Sequence, residues 1–250
     1  MSLNRFAYKQ LTLVRHIIVC LIFGASTQIT VSNEVADDLL LNVSDLDVGR
    51  GDEFQITGVD FTLESGDVMG LVGKSGAGKS TVMEAMLGII QNSGTVWLRK
   101  GDESLSVKQS AGYSTQEGSL YPLLTLDENL NLFASLQGAR GKEVDDRKKE
   151  LLRDLNLYEH RHRRVTDFSG GMKKRADLAA SLVHDPLVLM MDEPLAGIDP
   201  PQRRLIWQKI GSFVDAGKIV ILTSHMIDEM VTRCNKFGLV HDGSFFRAEQ

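Results

Sequence analysis

Cysteine is scarce in this 250-residue chain: there are two, Cys20 and Cys234. They form no Cys-x-x-Cys pair and have no histidine at metal-ligand spacing. Neither a disulfide framework nor a zinc site is indicated, and a reducing compartment fits best. Long apolar runs are missing too. Ile17 to Phe23 is a run of seven residues, far short of the roughly 20 that span a bilayer. Internal repeats and low-complexity tracts are absent, and 42% hydrophobic with 24% charged residues excludes the disordered, collagenous and coiled-coil classes. Nor is there a basic excess: 28 Lys+Arg stand against 33 Asp+Glu, a net charge of -5. Arg5, Lys9 and Arg15 precede the first carboxylate, leaving 25 cations against 33 carboxylates in the remainder. Such a body repels nucleic acid and anionic membranes at long range, and nucleic acid is not an expected partner.

Short apolar runs broken by glycine begin at Leu39. Leu39 to Val43, Phe54 to Ile56, Val59 to Leu63 and Val68 to Val72 read as strands. A helix is expected over Ser80 to Ile90, and a hairpin with Thr95 to Arg99 and Ser104 to Val107 on either side of Lys100-Gly101-Asp102-Glu103. Thr125-Leu126-Asp127-Glu128 is a capping box ahead of Leu130, Leu132, Phe133 and Leu136, and Val144, Leu151, Leu152 and Leu155 share one face of a second helix. Leu187 to Met191, Ile219 to Thr223 and Phe237 to Val240 are continuous apolar runs of strand length, which suits a parallel sheet covered on both faces.

Gly73-Lys74-Ser75-Gly76-Ala77-Gly78-Lys79-Ser80 fits G-x-x-x-x-G-K-[ST] and lies between the strand ending at Val72 and the helix beginning near Ser80. Glycines let successive N–H groups turn toward one point, and the helix N-terminus adds its dipole, which makes a triphosphate site. Lys79 is expected to reach the β- and γ-phosphates and Ser80 to hold Mg²⁺. Thr81 completes the candidate nucleotide-binding stretch. Asp192 and Glu193 follow an apolar strand and therefore arrive at its C-terminal end, where open α/β sheets bind ligands. Asp192 is the expected metal carboxylate, and Glu193 the group that orients or deprotonates an attacking water. Ser169-Gly170-Gly171-Met172 opens a helical stretch 23 residues before Asp192 and offers a further set of N–H groups.

The order of these motifs, with Gln116 between the first two and His225 after the last strand, resembles the nucleotide-binding domain of ATP-binding cassette (ABC) transporters over about residues 40 to 245. The resemblance implies an α/β fold: a P-loop NTPase (RecA-like) core with a mostly parallel sheet, an N-terminal antiparallel β subdomain and an inserted α-helical subdomain at about 117–168. It also implies ATP and Mg²⁺ as ligands. Gly73 to Ser80 looks like the Walker A loop, Leu187 to Glu193 the Walker B strand with its catalytic glutamate, and Ser169 to Met172 the signature. Gln116 looks like the glutamine that approaches Mg²⁺ and the attacking water, His225 the switch histidine, and Leu195 to Asp199 the D-loop. Two departures stand out. The signature has Met172 where glutamine is usual, and Arg50 occupies the place of the aromatic that stacks on adenine, with Phe54 the nearest aromatic.

Residues 37–250 are thus expected to form one ATP-binding domain. Its resemblance is to the separate-chain ATPases of exporters, which implies membrane-spanning partner subunits, a homodimer or heterodimer with a second cassette, and a place at the cytoplasmic face of the membrane. A soluble non-transport ATPase and an ATP-binding switch with little turnover are the alternatives. Residues 1–36 resemble a weak secretory signal or transit peptide, but cytosolic ATP chemistry favours a surface extension or a non-native start. His160-Arg161-His162-Arg163-Arg164 reads as a solvated helix end.

Overall fold

The computed structural model describes residues 39–49, 55–225 and 227–249. The expectations that fall on residues 1–36, and on Asp37, Arg50 and Phe54, lie outside the described residues.

Among the described residues ten strands form one sheet: β1 (Leu39–Gly49), β2 (Gln55–Glu64), β3 (Val68–Val72), β4 (Asn92–Lys100), β5 (Glu103–Leu105), β6 (Ala111–Ser114), β7 (Val188–Met191), β8 (Ile219–Thr223), β9 (Lys236–His241) and β10 (Ser244–Glu249). Their order is β5-β4-β1-β2-β10-β9-β3-β8-β7-β6. From β9 to β6 all neighbours are parallel, whereas β5, β4, β1 and β2 pair antiparallel. The helices are α1 (Lys79–Met86), α2 (Val107–Ser110), α3 (Leu126–Leu136), α4 (Lys142–Asp154), α5 (Gly170–Leu182), α6 (Pro200–Asp215) and α7 (Ile227–Arg233).

The continuous apolar runs belong to strands covered on both faces. Successive residues of a strand point to opposite sides, and the two cores divide accordingly. Val68, Leu189, Met191, Val220 and Leu222 join α3, α4, α5 and α6 in one core. Met69, Leu71, Val188, Met190, Ile219 and Ile221 join α1 and the antiparallel strands in the other.

Several boundaries differ from the sequence expectation. The helix after the glycine-rich loop stops at Met86 rather than Ile90, because Gly88 takes a left-handed φ of 65° and ends it. Gln55 and Ile56 belong to the same strand as Val59 to Leu63, described from Gln55 to Glu64. The hairpin's second strand ends at Leu105; Ser106 caps α2, its hydroxyl accepting from the Gln109 N–H at 3.4 Å. The capping box at Thr125 is formed: its hydroxyl accepts from Glu128 N, and Glu128 Oε2 accepts from Thr125 N at 2.7 Å. The basic run at 160–164 starts on the last residue of a 3₁₀ turn, Tyr158–His160, with His162 to Arg164 exposed, and the carbonyls of Arg161 and Arg163 accept the N–H groups of Asp127 and Leu126 at 2.9 and 3.1 Å. This loop therefore pairs two of the N–H groups that the start of α3 leaves unsatisfied.

Candidate functional site

The parallel strands β3, β7 and β8 end at one edge, and the glycine-rich loop leaves β3 there. Gly73 is fixed by close approach: a Cβ on it would sit 2.5 Å from the carbonyl oxygen of Val240. Lys74, Ser75 and Gly76 at the rim are exposed, while Lys79 at the root is buried. The Lys79 ammonium folds back across the loop, donating to the carbonyls of Gly73 and Lys74 at 3.0 Å each. It thereby holds the loop in a ring with its cation beneath the exposed rim.

Strand β7 carries Asp192 and Glu193 to the same edge, both buried. The Ser80 hydroxyl donates to Asp192 Oδ2 at 2.5 Å, joining residues 112 positions apart. A hydroxyl and a carboxylate in contact are hard oxygen donors, the set that Mg²⁺ takes from a protein when phosphates and water fill its remaining octahedral positions. Ser80 and Asp192 therefore fit that ion. Among the described residues there is no cluster of three or more His, Cys, Asp or Glu that could hold a metal, and a site completed by substrate oxygens needs none.

Thr223, fully buried at the end of β8, links both acids: its hydroxyl donates to Asp192 Oδ1 at 2.6 Å and accepts from the Glu193 N–H at 2.9 Å. Glu193 has a φ of 51°, rare for a non-glycine residue. The His225 N–H donates to Glu193 Oε2 at 3.3 Å, and His225 Nε2 lies 3.1 Å from Glu193 Oε1. Oε1 is buried and has no partner with hydrogen-bond geometry, whereas the imidazole is 58% exposed. The pair thus faces outward through the histidine. Burial, with Asp192 and Glu84 adding, pushes the Tyr113 phenol above its ordinary range, so it stays neutral beside this acidic edge.

Gln116 lies past the end of β6, which pairs with β7, and the Asp192 N–H donates to the Ser114 carbonyl at 2.8 Å. The glutamine is exposed, and its carbonyl accepts from Lys174 at 2.6 Å. Ser169 caps α5, its hydroxyl accepting from the Met172 N–H at 3.3 Å, and Ser169 and Gly170 are exposed. Among the described residues no hydrogen bond joins Ser169, Gly170 or Gly171 to Gly73–Thr81. Gly171 is pressed against α6: a Cβ there would lie 2.0 Å from Gln202 Oε1. Asp199 caps α6 by accepting from the Gln202 N–H at 3.0 Å and holds the Gln202 amide as well. Met172 packs its side chain on the helical core.

Sequence reasoning missed Thr223, Asp177 and Gln202. Thr223 closes an apolar strand and Asp177 stands between Ala176 and Leu178 on a helix, places where a buried hydroxyl or carboxylate needs a partner; that was the available signal.

A family model described as ABC transporter matches residues 56–196. The chain is 35% identical over 208 residues to the linearmycin resistance ATP-binding protein LnrL of Bacillus subtilis, covering 82% of this chain and 67% of that one. It is 34% identical over 197 residues to the Nod factor export ATP-binding protein I of Burkholderia lata (77% and 65%). It is 33% identical over 210 residues to the probable multidrug ABC transporter ATP-binding protein YbhF of Escherichia coli (82% and 36%). The chain thus spans about two thirds or less of these relatives' lengths. A solved ATP-binding subunit of an ABC transporter superposes with a TM-score of 0.75 at 25% identity, covering 84% of this chain and 90% of that one.

Proposed function

The chain belongs to the ABC transporter family, with the ATPase machinery of its ATP-binding cassettes, and on that premise we propose that it powers transport through separate membrane subunits by closing on a second cassette around ATP. The observation that carries this reading is the bonded series Ser80, Asp192, Thr223, Glu193 and His225 at one sheet edge. The N–H groups of Gly73 to Thr81 and the Lys79 cation cradle the phosphates. Ser80 and Asp192 hold Mg²⁺, with Gln116 approaching from the end of β6. When bound, that ion neutralises phosphate oxygens and orients them. Glu193, held by Thr223 through its own N–H, takes the proton of the attacking water, and His225 carries the γ-phosphate contact. General-base assistance of this kind contributes about 10² to 10⁴ in rate.

Ser169 and Gly170 are exposed at the start of α5, and among the described residues neither they nor Gly171 is hydrogen-bonded to the phosphate loop of the same chain. They serve the loop of a second cassette, so one chain owns two unfinished half-sites. Among the described residues no helix is long and apolar enough to cross a membrane, and the membrane partners are separate chains whose cytoplasmic loops meet the helical segment of α3 and α4. Export is the direction supported by the names of the relatives, which speak of Nod factor export, multidrug transport and linearmycin resistance.

The test is light scattering with the Glu193→Gln protein, which traps unhydrolysed ATP. A dimer is expected with ATP and Mg²⁺ and a monomer without nucleotide. A monomer under both conditions would contradict self-closure and require a different partner cassette.

A further inference from the structure

Helix α5, which Ser169 caps, also grips the loop that carries Gln116, and it does so with side chains none of the foregoing roles use. Asp177 is 2% exposed. Its Oδ2 accepts from the Ser114 hydroxyl where β6 ends, and its Oδ1 accepts from the Ser119 N–H at 2.6 Å. One turn earlier on the same helix face, Lys174 donates to the carbonyl of Gln116 at 2.6 Å. The loop is therefore held at its first residue, at Gln116 and at its last residue by two side chains of one helix. Inside the loop, the Gly118 N–H donates to the Thr115 carbonyl at 3.2 Å.

This arrangement has a cost. Burial pushes the Asp177 carboxyl above its ordinary range, and burial likewise lowers Lys174. A carboxylate that only filled space in this core would be worse than an alanine. Two hydrogen bonds to groups of one loop compensate it, and both bonds fix where that loop runs.

We propose that Asp177 is a positioning residue for Gln116: with Lys174 it fastens residues 114–119 to α5, so that the Gln116 side chain and the N–H groups at Ser169–Gly171 move as one body. The inference rests on the placement of Gln116 in the ATP site. Its consequence is coupling. A displacement of Ser169–Gly171 on contact with a second cassette passes to Gln116 through Lys174 and to Ser119 through Asp177, while Ser114 stays bonded through its carbonyl to the Asp192 N–H.

The experiment compares full-length wild type, Asp177→Ala, Asp177→Asn, Gln116→Ala and the Asp177→Ala/Gln116→Ala double variant. Phosphate release gives kcat and KM for ATP at saturating Mg²⁺, and NMR gives exchange of the Ser119 amide. An asparagine can accept from the Ser119 N–H and donate to the Ser114 hydroxyl, so Asp177→Asn is expected to stay within about twofold of wild type. Asp177→Ala is expected to lose about tenfold in kcat with KM within about twofold, as misplacement of a reacting-site group does. Its Ser119 amide should exchange at least about tenfold faster. The double variant is expected to be no slower than Gln116→Ala alone, since residues acting as a unit are not additive.

An Asp177→Ala protein with wild-type kcat, or losses that multiply in the double variant, would overturn the proposal. So would an Asp177→Asn protein as slow as Asp177→Ala. If Gln116→Ala itself turns over ATP at the wild-type rate, the placement of Gln116 in the site fails, and the clamp is judged by the Ser119 amide. Unchanged exchange in Asp177→Ala then overturns the clamp as well.

Discussion

At the C-terminal edge of β3, β7 and β8 the candidate site side chains hold one another, whereas around Ser169 they hold other elements and leave Ser169 and Gly170 exposed. Ser80, Asp192, Thr223 and Glu193 are linked by three bonds of 2.5 to 2.9 Å, and Asp192, Thr223 and Glu193 are buried. Such donors need no reorganisation when charge develops beside them. Near Ser169 the side chains of Lys174, Asp177, Arg175 and Gln202 reach back to the Gln116 loop, to the C-terminal end of α4 and to Asp199. The first region is a set of side chains bonded to one another, and the second is an exposed face on a firmly tied helix.

Substitutions in the two regions should therefore differ in kind. Among equilibrium properties the largest effect is expected at Lys79. Lys79→Ala removes a charge-assisted contact worth roughly 1.5 to 3 kcal/mol, so ATP affinity measured by titration calorimetry should fall by about 10²-fold. An unchanged affinity would detach Lys79 from the phosphates. Next, Thr223→Val leaves the buried Glu193 N–H without an acceptor and should cost roughly 1 to 3 kcal/mol in urea unfolding, with Thr223→Ser recovering most of it. Equal stability of the two variants would show that the hydroxyl does not hold the acids.

In the second region Gly171→Ala meets only the amide end of the flexible Gln202 side chain, which has to swing aside, and should destabilise by about 1 kcal/mol. Adding Gln202→Ala should relieve that loss, a coupling that urea unfolding of the three proteins reads directly. Independent effects would mean that the contact is not what excludes a side chain at Gly171. The smallest change lies away from both regions. Thr125→Ala removes the α3 cap and should cost about 1 kcal/mol in thermal unfolding, leaving ATP affinity as it is.

The contrast also marks what the sequence made legible. The parallel half could be read because β7 and β8 are continuous apolar runs, and the phosphate loop because its glycines and lysine have one spacing. Strand β6 escaped notice. It is four residues long and includes Gly112, whose missing side chain admits the Ser181 carbonyl of α5, 2.0 Å from where a Cβ would stand. Strand β10 escaped as well: it pairs with β9 across the turn at Asp242 and Gly243, and only Phe245 and Phe246 hint at it. Thr223 and Asp177 are legible as buried polar residues only once the fold brings Asp192, Ser114 and Ser119 to them from 31, 63 and 58 positions away. Spacing in sequence carries no trace of such pairs.

The division of labour within the first region is tested most directly by measuring steady-state phosphate release beside equilibrium binding of a fluorescent ATP analogue, with Mg²⁺, for wild type and Glu193→Gln. Glutamine keeps the shape of the side chain and removes the charge that accepts a proton. The expected result is a fall of about 10² to 10⁴ in turnover with binding as tight as wild type or tighter. Glu193→Gln protein that releases phosphate at the wild-type rate would contradict the assignment of Glu193 and leave a nucleotide-dependent switch as the better reading.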